Sequence, residues 1–194
     1  MGPVEETVKL LAVRLYAYND ERFAAVIDGA VYGAIAGLGF ATIENALYIT
    51  RAIGDVGGVR LGLDLIGIGG DITATRALAG PGHVVYSSFA GYYLGLAKFN
   101  PGNRGPIVVK GLIIAALIHA TYNATVGLAT ALIRAATGLP ELAAFLVYVL
   151  GYVGFFGYLL YRKLRRYRAA YLAGLTTDGA APSEERSDAG SGED

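Results

Sequence analysis

The stretch VIDGAVYGAIAGLGFATIENALYIT, residues 26–50, decides the fold class, because it is apolar along its length and carries only two charged side chains, Asp28 and Glu44. A helix needs about 20 mostly apolar residues to cross the hydrocarbon core of a bilayer. Three further charge-poor stretches follow: Pro81 to Ala97, Pro106 to Ile133 and Pro140 to Tyr161. We therefore predict an all-α fold, a polytopic transmembrane helical bundle with about four full spans.

A shorter helix is predicted ahead of the first span. Pro3 stands at its start, Glu5 and Glu6 lie in its first turn, and an apolar continuation runs to Tyr18. Proline and acidic residues at this end are helix-start signals. About 16 residues at about 1.5 Å rise reach only about 24 Å, so we expect this helix to pack on protein neighbours.

Glycines recur at every fourth position in the first span, at Gly29, Gly33 and Gly37. Small residues at this spacing lie on one helix face and are typical of close helix–helix approach in membranes. We therefore expect these glycines, and Gly39 with them, to serve close packing against another helix rather than ligand binding.

The composition excludes two protein classes. The 194 residues include no Cys, which excludes a disulfide-stapled secreted domain. The 16 basic residues balance 16 acidic ones, which excludes a basic nucleic-acid binder. Six acids but one base lie between Thr176 and Asp194, so residues 176–194 are predicted to be a disordered acidic tail after a membrane-embedded domain of residues 1–175.

A basic run directly follows the last predicted span and consists of Arg162, Lys163, Arg165, Arg166 and Arg168. By the positive-inside rule this run places the C-terminus in the cytoplasm of a plasma-membrane protein, in contact with anionic lipid. Alternation then places the loop at residues 98–104 inside and the Gly-rich segment at residues 51–80 outside. That outer segment is expected to form short surface or re-entrant helices.

Ionisable side chains within the predicted spans cost at least about 2.5 kcal/mol each near a span centre, so each needs a partner or a role. Both histidines of the chain, His83 and His119, lie in such spans. Counting along the helices places them in the outer half of the membrane together with Glu5, Glu6 and Glu44. The sequence therefore predicts a cluster of carboxylates and imidazoles within the bilayer.

Glutamate and histidine are ligands of catalytic zinc, which takes three protein ligands and leaves a position for water. A remaining carboxylate then serves as general base. Asn123 is four residues beyond His119 on the same helix face, from where its amide can orient the imidazole or donate to an oxyanion. Buried acids and histidines also mark proton and ion pathways, so a non-catalytic membrane protein, an ion conduit, is the alternative.

Five sequence blocks resemble, in order, the PrsW family of intramembrane proteases, which is related to the CAAX-processing and bacteriocin-processing membrane proteases. They are EExxK from Glu5 to Lys9, DGAVYG from Asp28 to Gly33, GLGFATIEN at residues 37–45, the segment from Arg76 to His83, and HATYN from His119 to Asn123. The likeness covers about residues 3–165. It implies an intramembrane endopeptidase, a metalloprotease, that hydrolyses a peptide bond of a membrane-anchored protein.

The resemblance also implies which residues act and on what. Glu5 and Glu6 become the paired catalytic or metal-binding acids, and His83 and His119 complete the site. The metal set is then Glu6, His83 and His119, with zinc as the expected ion. The family's best-known member cleaves a membrane-anchored anti-sigma factor on the extracytoplasmic side, so an anti-sigma-factor-like substrate is expected.

Two residues of the third block have a role that stays open at this stage. Glu44 and Asn45 are either catalytic or a structural hydrogen-bond clamp between helices. A degenerate family member that acts as a scaffold is a further alternative to the protease. The sequence makes no prediction of the oligomeric state.

Overall fold

The computed structural model describes residues 2–54 and 71–178, and all regular secondary structure in these two ranges is helical. The α-helices there are α1 (Gly2–Tyr16), α2 (Val26–Gly54), α3 (Asp71–Lys98), α4 (Arg104–Thr137) and α5 (Glu141–Asp178), with a 3₁₀ turn at Pro101–Asn103. The four predicted spans fall on α2 to α5 in turn, and the predicted N-terminal helix is α1. The all-α prediction is confirmed.

Helix α3 differs from the other predicted spans in its surroundings. Among the described residues, the stretches that are long and apolar enough to cross a membrane are Val26–Tyr48, Pro101–Thr137 and Glu141–Gly174. The predicted span from Pro81 to Ala97 lies in α3 and is not one of these three. Helices α1, α2 and α4 pack around α3, and its Ser87 and Ser88 are buried. Because α3 meets protein here rather than lipid, it accommodates polar residues inside the bundle.

Helix α1 packs one face against the bundle, as its short length requires. Its buried positions include Glu6, Lys9, Leu10 and Val13, which recur at helical spacing. Its opposite face is apolar and exposed at Val4, Val8, Leu11 and Leu15. An apolar outer face and a polar inner face are the reverse of a soluble helix and suit a helix set between lipid and protein.

Helices α2 and α3 approach each other through glycines. A Cβ atom on Gly33 would overlap the carbonyl oxygen of Ser87, and one on Gly91 would overlap the carbonyl oxygen of Gly29. Gly37 lies in the same way against the backbone carbonyl of His83. The predicted close approach is confirmed at Gly29, Gly33 and Gly37, and the contact at Gly37 fixes the backbone of α3 at His83. The prediction is wrong at Gly39, where a Cβ atom would meet nothing within 4 Å among the described residues, because Gly39 lies on another face of α2.

Replacing Gly91 with Leu is expected to lower the free energy of unfolding by about 2 to 3 kcal/mol, because the new side chain has to push two backbones apart. The measurement is unfolding of the detergent-solubilised protein by added denaturing detergent. Gly39→Leu is the matched control, since a Cβ on Gly39 meets nothing within 4 Å. Equal stability of the two variants would contradict this packing.

The C-terminal end of α3 is hydrogen-bonded to the linker between α1 and α2. The Lys98 Nζ atom donates hydrogen bonds to the carbonyl oxygens of Tyr18, at 2.6 Å, and Phe23, at 2.8 Å. Asp28 accepts hydrogen bonds from the backbone N–H groups of Ala24 and Ala25. Asp28 therefore satisfies donors at the start of α2.

The chain divides into two compact units, residues 1–160 and residues 161–194. In the second unit the described residues are helical, Arg162, Arg165, Arg166 and Arg168 are exposed, and the rings of Tyr167 and Tyr171 stack at 6.5 Å. The predicted tail lies outside the described residues from residue 179 onward, as does the part from 55 to 70 of the predicted outer segment at residues 51–80. The described ends of that segment, residues 51–54 and 71–80, belong to α2 and α3. The predicted boundary between residues 175 and 176 stays a prediction.

Candidate active site

Glu6 is a buried carboxylate with three side-chain partners. It is fully buried and accepts hydrogen bonds from Lys9 Nζ at 2.7 Å and from Ser87 Oγ at 2.8 Å. Its Oε1 atom also lies 3.0 Å from Nδ1 of His119. A buried charge is tolerated only when it is paired and hydrogen-bonded, and three partners from α1, α3 and α4 meet that requirement.

His119 is held with one ring nitrogen turned to each of the two consecutive glutamates. Because an ionised carboxylate only accepts hydrogen bonds, Nδ1 carries the proton that it shares with Glu6. The other nitrogen, Nε2, lies 3.6 Å from Oε2 of Glu5. A carboxylate on one nitrogen, with the other nitrogen left as a lone pair, is the arrangement of metal-ligating histidines.

His83 connects Lys9 to Glu44. Its Nδ1 atom lies 2.8 Å from Lys9 Nζ, and its Nε2 atom lies 3.2 Å from Oε2 of Glu44. An ammonium group has no lone pair to accept with, so Nδ1 accepts from Lys9 and the neutral ring carries its proton on Nε2. The ring meets that of His119 edge to face at 4.9 Å.

Lys9 is the charge at the centre of this network. Its side chain is buried, its ammonium group contacts both Glu6 and His83, and it also lies 4.4 Å from the ring centroid of Phe40. In the sequence, Lys9 is recognisable only as the last residue of the EExxK motif, and its partners are not. In the structure, the three-residue spacing of Glu6 and Lys9 on α1 places both side chains on the buried face.

One set of side chains could hold a metal ion. Ligand atoms of Glu5, His83 and His119 lie within 4.8 Å of one another. The Oε2 atom of Glu5 is buried without a hydrogen-bond partner among the described residues, which is unusual for a carboxylate. Two imidazoles and a carboxylate are a zinc donor set, so ligand type and the unpartnered oxygen fit the ion. Binding at His83 Nε2 would require the proton on that nitrogen to leave.

The metal set differs from the predicted one at a single position. The predicted metal ligands were Glu6, His83 and His119. In the structure, the side chains close enough to share a metal ion are Glu5, His83 and His119. Both Glu6 oxygens already accept hydrogen bonds within the protein, while Glu5 Oε2 has no such partner in the described part of the chain. The catalytic roles predicted for both glutamates stay predictions.

The remaining predicted residues lie at different distances from this cluster. Glu44 contacts it directly through His83, with its side chain 19% exposed. Asn45 is half-buried beside α3, its Nδ2 atom 3.5 Å from the Cβ position of Gly80. Asn123 is exposed one helical turn beyond His119 on α4. The structure therefore brings Glu44 into the cluster and leaves Asn45 and Asn123 at its edge.

Sequence reasoning missed two contributors, Ser87 and Tyr86. Ser87 is four residues after His83, so its place on the same face of α3 was accessible from spacing. Tyr86 lies with its ring 5.1 Å from that of His119, and no pattern in the sequence distinguished it from the other 13 tyrosines. Its position depends on helix packing.

Comparison with known proteins finds one family. The model of a family described as PrsW family intramembrane metalloprotease matches residues 1–159. Proteins named Protease PrsW from Shouchella clausii, Halalkalibacterium halodurans and Bacillus subtilis are 31%, 32% and 32% identical, each over 63% of this chain and 50% of their own length. The chain thus spans about half the length of these curated relatives. No solved structure is significantly similar to it.

Proposed function

This chain belongs to the PrsW family of intramembrane proteases, and from that premise we propose that it hydrolyses a peptide bond of a membrane-anchored protein. The single observation that carries the proposal is the convergence of Glu5, His83 and His119 from three helices, where a buried oxygen of Glu5 has no hydrogen-bond partner within residues 2–54 and 71–178. A purely structural polar cluster would be expected to satisfy that oxygen internally.

The proposed reaction needs a water molecule as nucleophile. The water oxygen bonds to the peptide carbonyl carbon, the C–N bond breaks, and one water proton passes through a carboxylate to the leaving amine. Glu6 does not accept that proton, because its oxygens are engaged by Lys9 and Ser87. Glu6 instead orients His119 through Nδ1. Asn123, exposed one turn away, is proposed to donate a hydrogen bond to the oxyanion.

Zinc is the proposed cofactor, held by Glu5, His83 and His119. When bound there, it supplies Lewis-acid activation of water at neutral pH. Glu44, with Oε2 at 3.2 Å from Nε2 of His83, is then the carboxylate that takes the proton from water, since both Glu6 oxygens are engaged within the protein. In this assignment Glu5 holds the ion and Glu44 is the general base.

A metal-free version of the same hydrolysis is favoured by one observation, the hydrogen-bonded chain from Lys9 through His83 to Glu44. These hydrogen bonds keep His83 protonated on Nε2, which opposes metal binding at that nitrogen. Glu5, whose Oε2 atom lies beside His119 Nε2, then accepts the proton from water itself. The two versions assign the general base to different residues, so they are separable by experiment.

The chain is an integral membrane protein, with described stretches long and apolar enough to span a bilayer. We propose that its C-terminus lies in the cytoplasm, because the exposed arginines at residues 162–168 follow the apolar stretch from Pro140 to Tyr161. The site then lies towards the opposite, extracytoplasmic side, and the substrate is a protein anchored in the plasma membrane, such as an anti-sigma factor. Lipid is the surrounding partner, and no role for nucleic acid is proposed.

Proteomic comparison of membranes from cells with wild-type protein and with the His119→Ala variant tests this function. We expect at least one membrane-anchored protein to be shortened only in the wild-type cells. The purified protein is expected to contain about one zinc ion per chain, and a chelator is expected to stop cleavage. Cleavage that resists chelation in zinc-free protein would select the metal-free version. Identical membrane proteomes and ion flux through liposomes would instead support a conduit.

A further inference from the structure

Two buried polar atoms beside the histidines have no hydrogen-bond partner among the described residues, Oε2 of Glu5 and the hydroxyl oxygen of Tyr86. Buried polar groups nearly always have a partner, and an exception needs an explanation. The proposed metal ion or water molecule would be the missing partner of Glu5 Oε2. The Tyr86 hydroxyl is not used by the hydrolysis described above.

The Tyr86 side chain lies against the catalytic cluster. It is 1% exposed, and its ring centroid lies 5.1 Å from that of His119 and 6.2 Å from that of His83. Helical side chains lean towards the helix N-terminus, and this one reaches back one turn along α3. A Cβ atom on Gly82 would lie 2.6 Å from the Tyr86 hydroxyl oxygen. The hydroxyl therefore lies at the level of His83.

We propose that Tyr86 is a further catalytic residue, whose hydroxyl donates a hydrogen bond to the scissile carbonyl oxygen as that oxygen becomes an oxyanion. The assignment rests on the proposed hydrolytic function. A phenol is a neutral donor, so it stabilises the developing negative charge without adding charge to the site. It keeps its proton throughout, and the proton of the attacking water still passes through a carboxylate to the leaving amine.

The ring and the hydroxyl of Tyr86 have separate roles. The ring belongs to a packed aromatic group that includes Tyr122, at 6.3 Å, so removing the ring would disturb the bundle. Phenylalanine retains the ring and removes only the hydroxyl. Because that hydroxyl has no protein partner in the described ranges, its loss breaks no structural hydrogen bond. Tyr86→Phe is therefore expected to fold as stably as the wild type or slightly more stably.

Turnover of the substrate identified by the proteomic comparison is expected to fall about 100-fold in Tyr86→Phe, as when one oxyanion donor is removed, with KM nearly unchanged. Zinc content and Tm are expected to match the wild type. Tyr92→Phe is the matched control, a buried tyrosine on the same helix whose ring packs on Tyr93. This control is expected to retain wild-type kcat.

Gly82→Ala provides a second variant that leaves Tyr86 in place. Its methyl group displaces the Tyr86 hydroxyl, so kcat is expected to fall, and combining it with Tyr86→Phe is expected to add almost nothing. Wild-type kcat in Tyr86→Phe, or a fall in kcat explained by lost zinc or a lower Tm, would overturn the assignment. No cleavage by the wild-type protein would contradict the proposed function instead.

Discussion

Glu5→Gln is expected to abolish cleavage, with turnover reduced at least about 1,000-fold, while the helical bundle still folds. Glutamine has the shape of glutamate but is neutral, so it neither binds zinc well nor accepts a proton from water. No internal hydrogen bond is lost at Oε2, because that atom has no partner among the described residues. The expected loss is therefore chemical rather than structural, and Tm is expected to stay near the wild-type value.

Zinc content and cleavage rate, measured together, assign the roles of the carboxylates. If zinc is used, Glu5→Gln loses both zinc and activity, whereas Glu44→Gln keeps zinc and loses activity. If zinc is not used, Glu5→Gln loses activity and Glu44→Gln retains much of it. Glu141→Gln is the control, because its side chain is 75% exposed and pairs only with Arg134 in the described part of the chain. More than a tenth of wild-type turnover in Glu5→Gln would remove Glu5 from the site.

Lys9→Met is expected to destabilise the protein by about 3 to 5 kcal/mol, which is typical when one partner of a buried ion pair is removed. Methionine fills a similar volume but leaves the Glu6 carboxylate buried beside His119 without its cation. The side chains of Lys9 and Glu6 are 1% and 0% exposed, so water cannot replace the lost partner. The measurement is the free energy of unfolding in detergent micelles.

The double variant Lys9→Met with Glu6→Gln checks the cause of that loss. Removing the uncompensated charge is expected to restore part of the stability, although His119 then loses its orienting carboxylate and activity stays low. Lys110→Met is the matched control, since Lys110 is exposed on α4 and lies 5.9 Å from the ring of Tyr93. A loss in Lys110→Met as large as in Lys9→Met would show that the effect is not specific to the buried pair.

The sequence predicted which residues form the buried polar cluster but not how they contact one another. The bilayer penalty for ionisable groups made Glu5, Glu6, Glu44, His83 and His119 candidates, and the described contacts join all five. Which of Glu5 and Glu6 lies with the two histidines in the possible metal site was not accessible from the sequence. Consecutive residues on a helix point about 100° apart, and the orientation of α1 decides which carboxylate faces which partner.

The sequence by itself determined that the chain is helical and membrane-embedded, because length and apolar composition suffice to make a helix the stable form of a chain in lipid. Its glycine spacing also determined which face of α2 packs closely. Only the tertiary structure decided the hydrogen-bond partners of Lys9, the pairing of Glu44 with His83 and the place of Tyr86. These depend on how α1, α3 and α4 are rotated about their axes, and that rotation is set jointly by every packed residue rather than by local spacing.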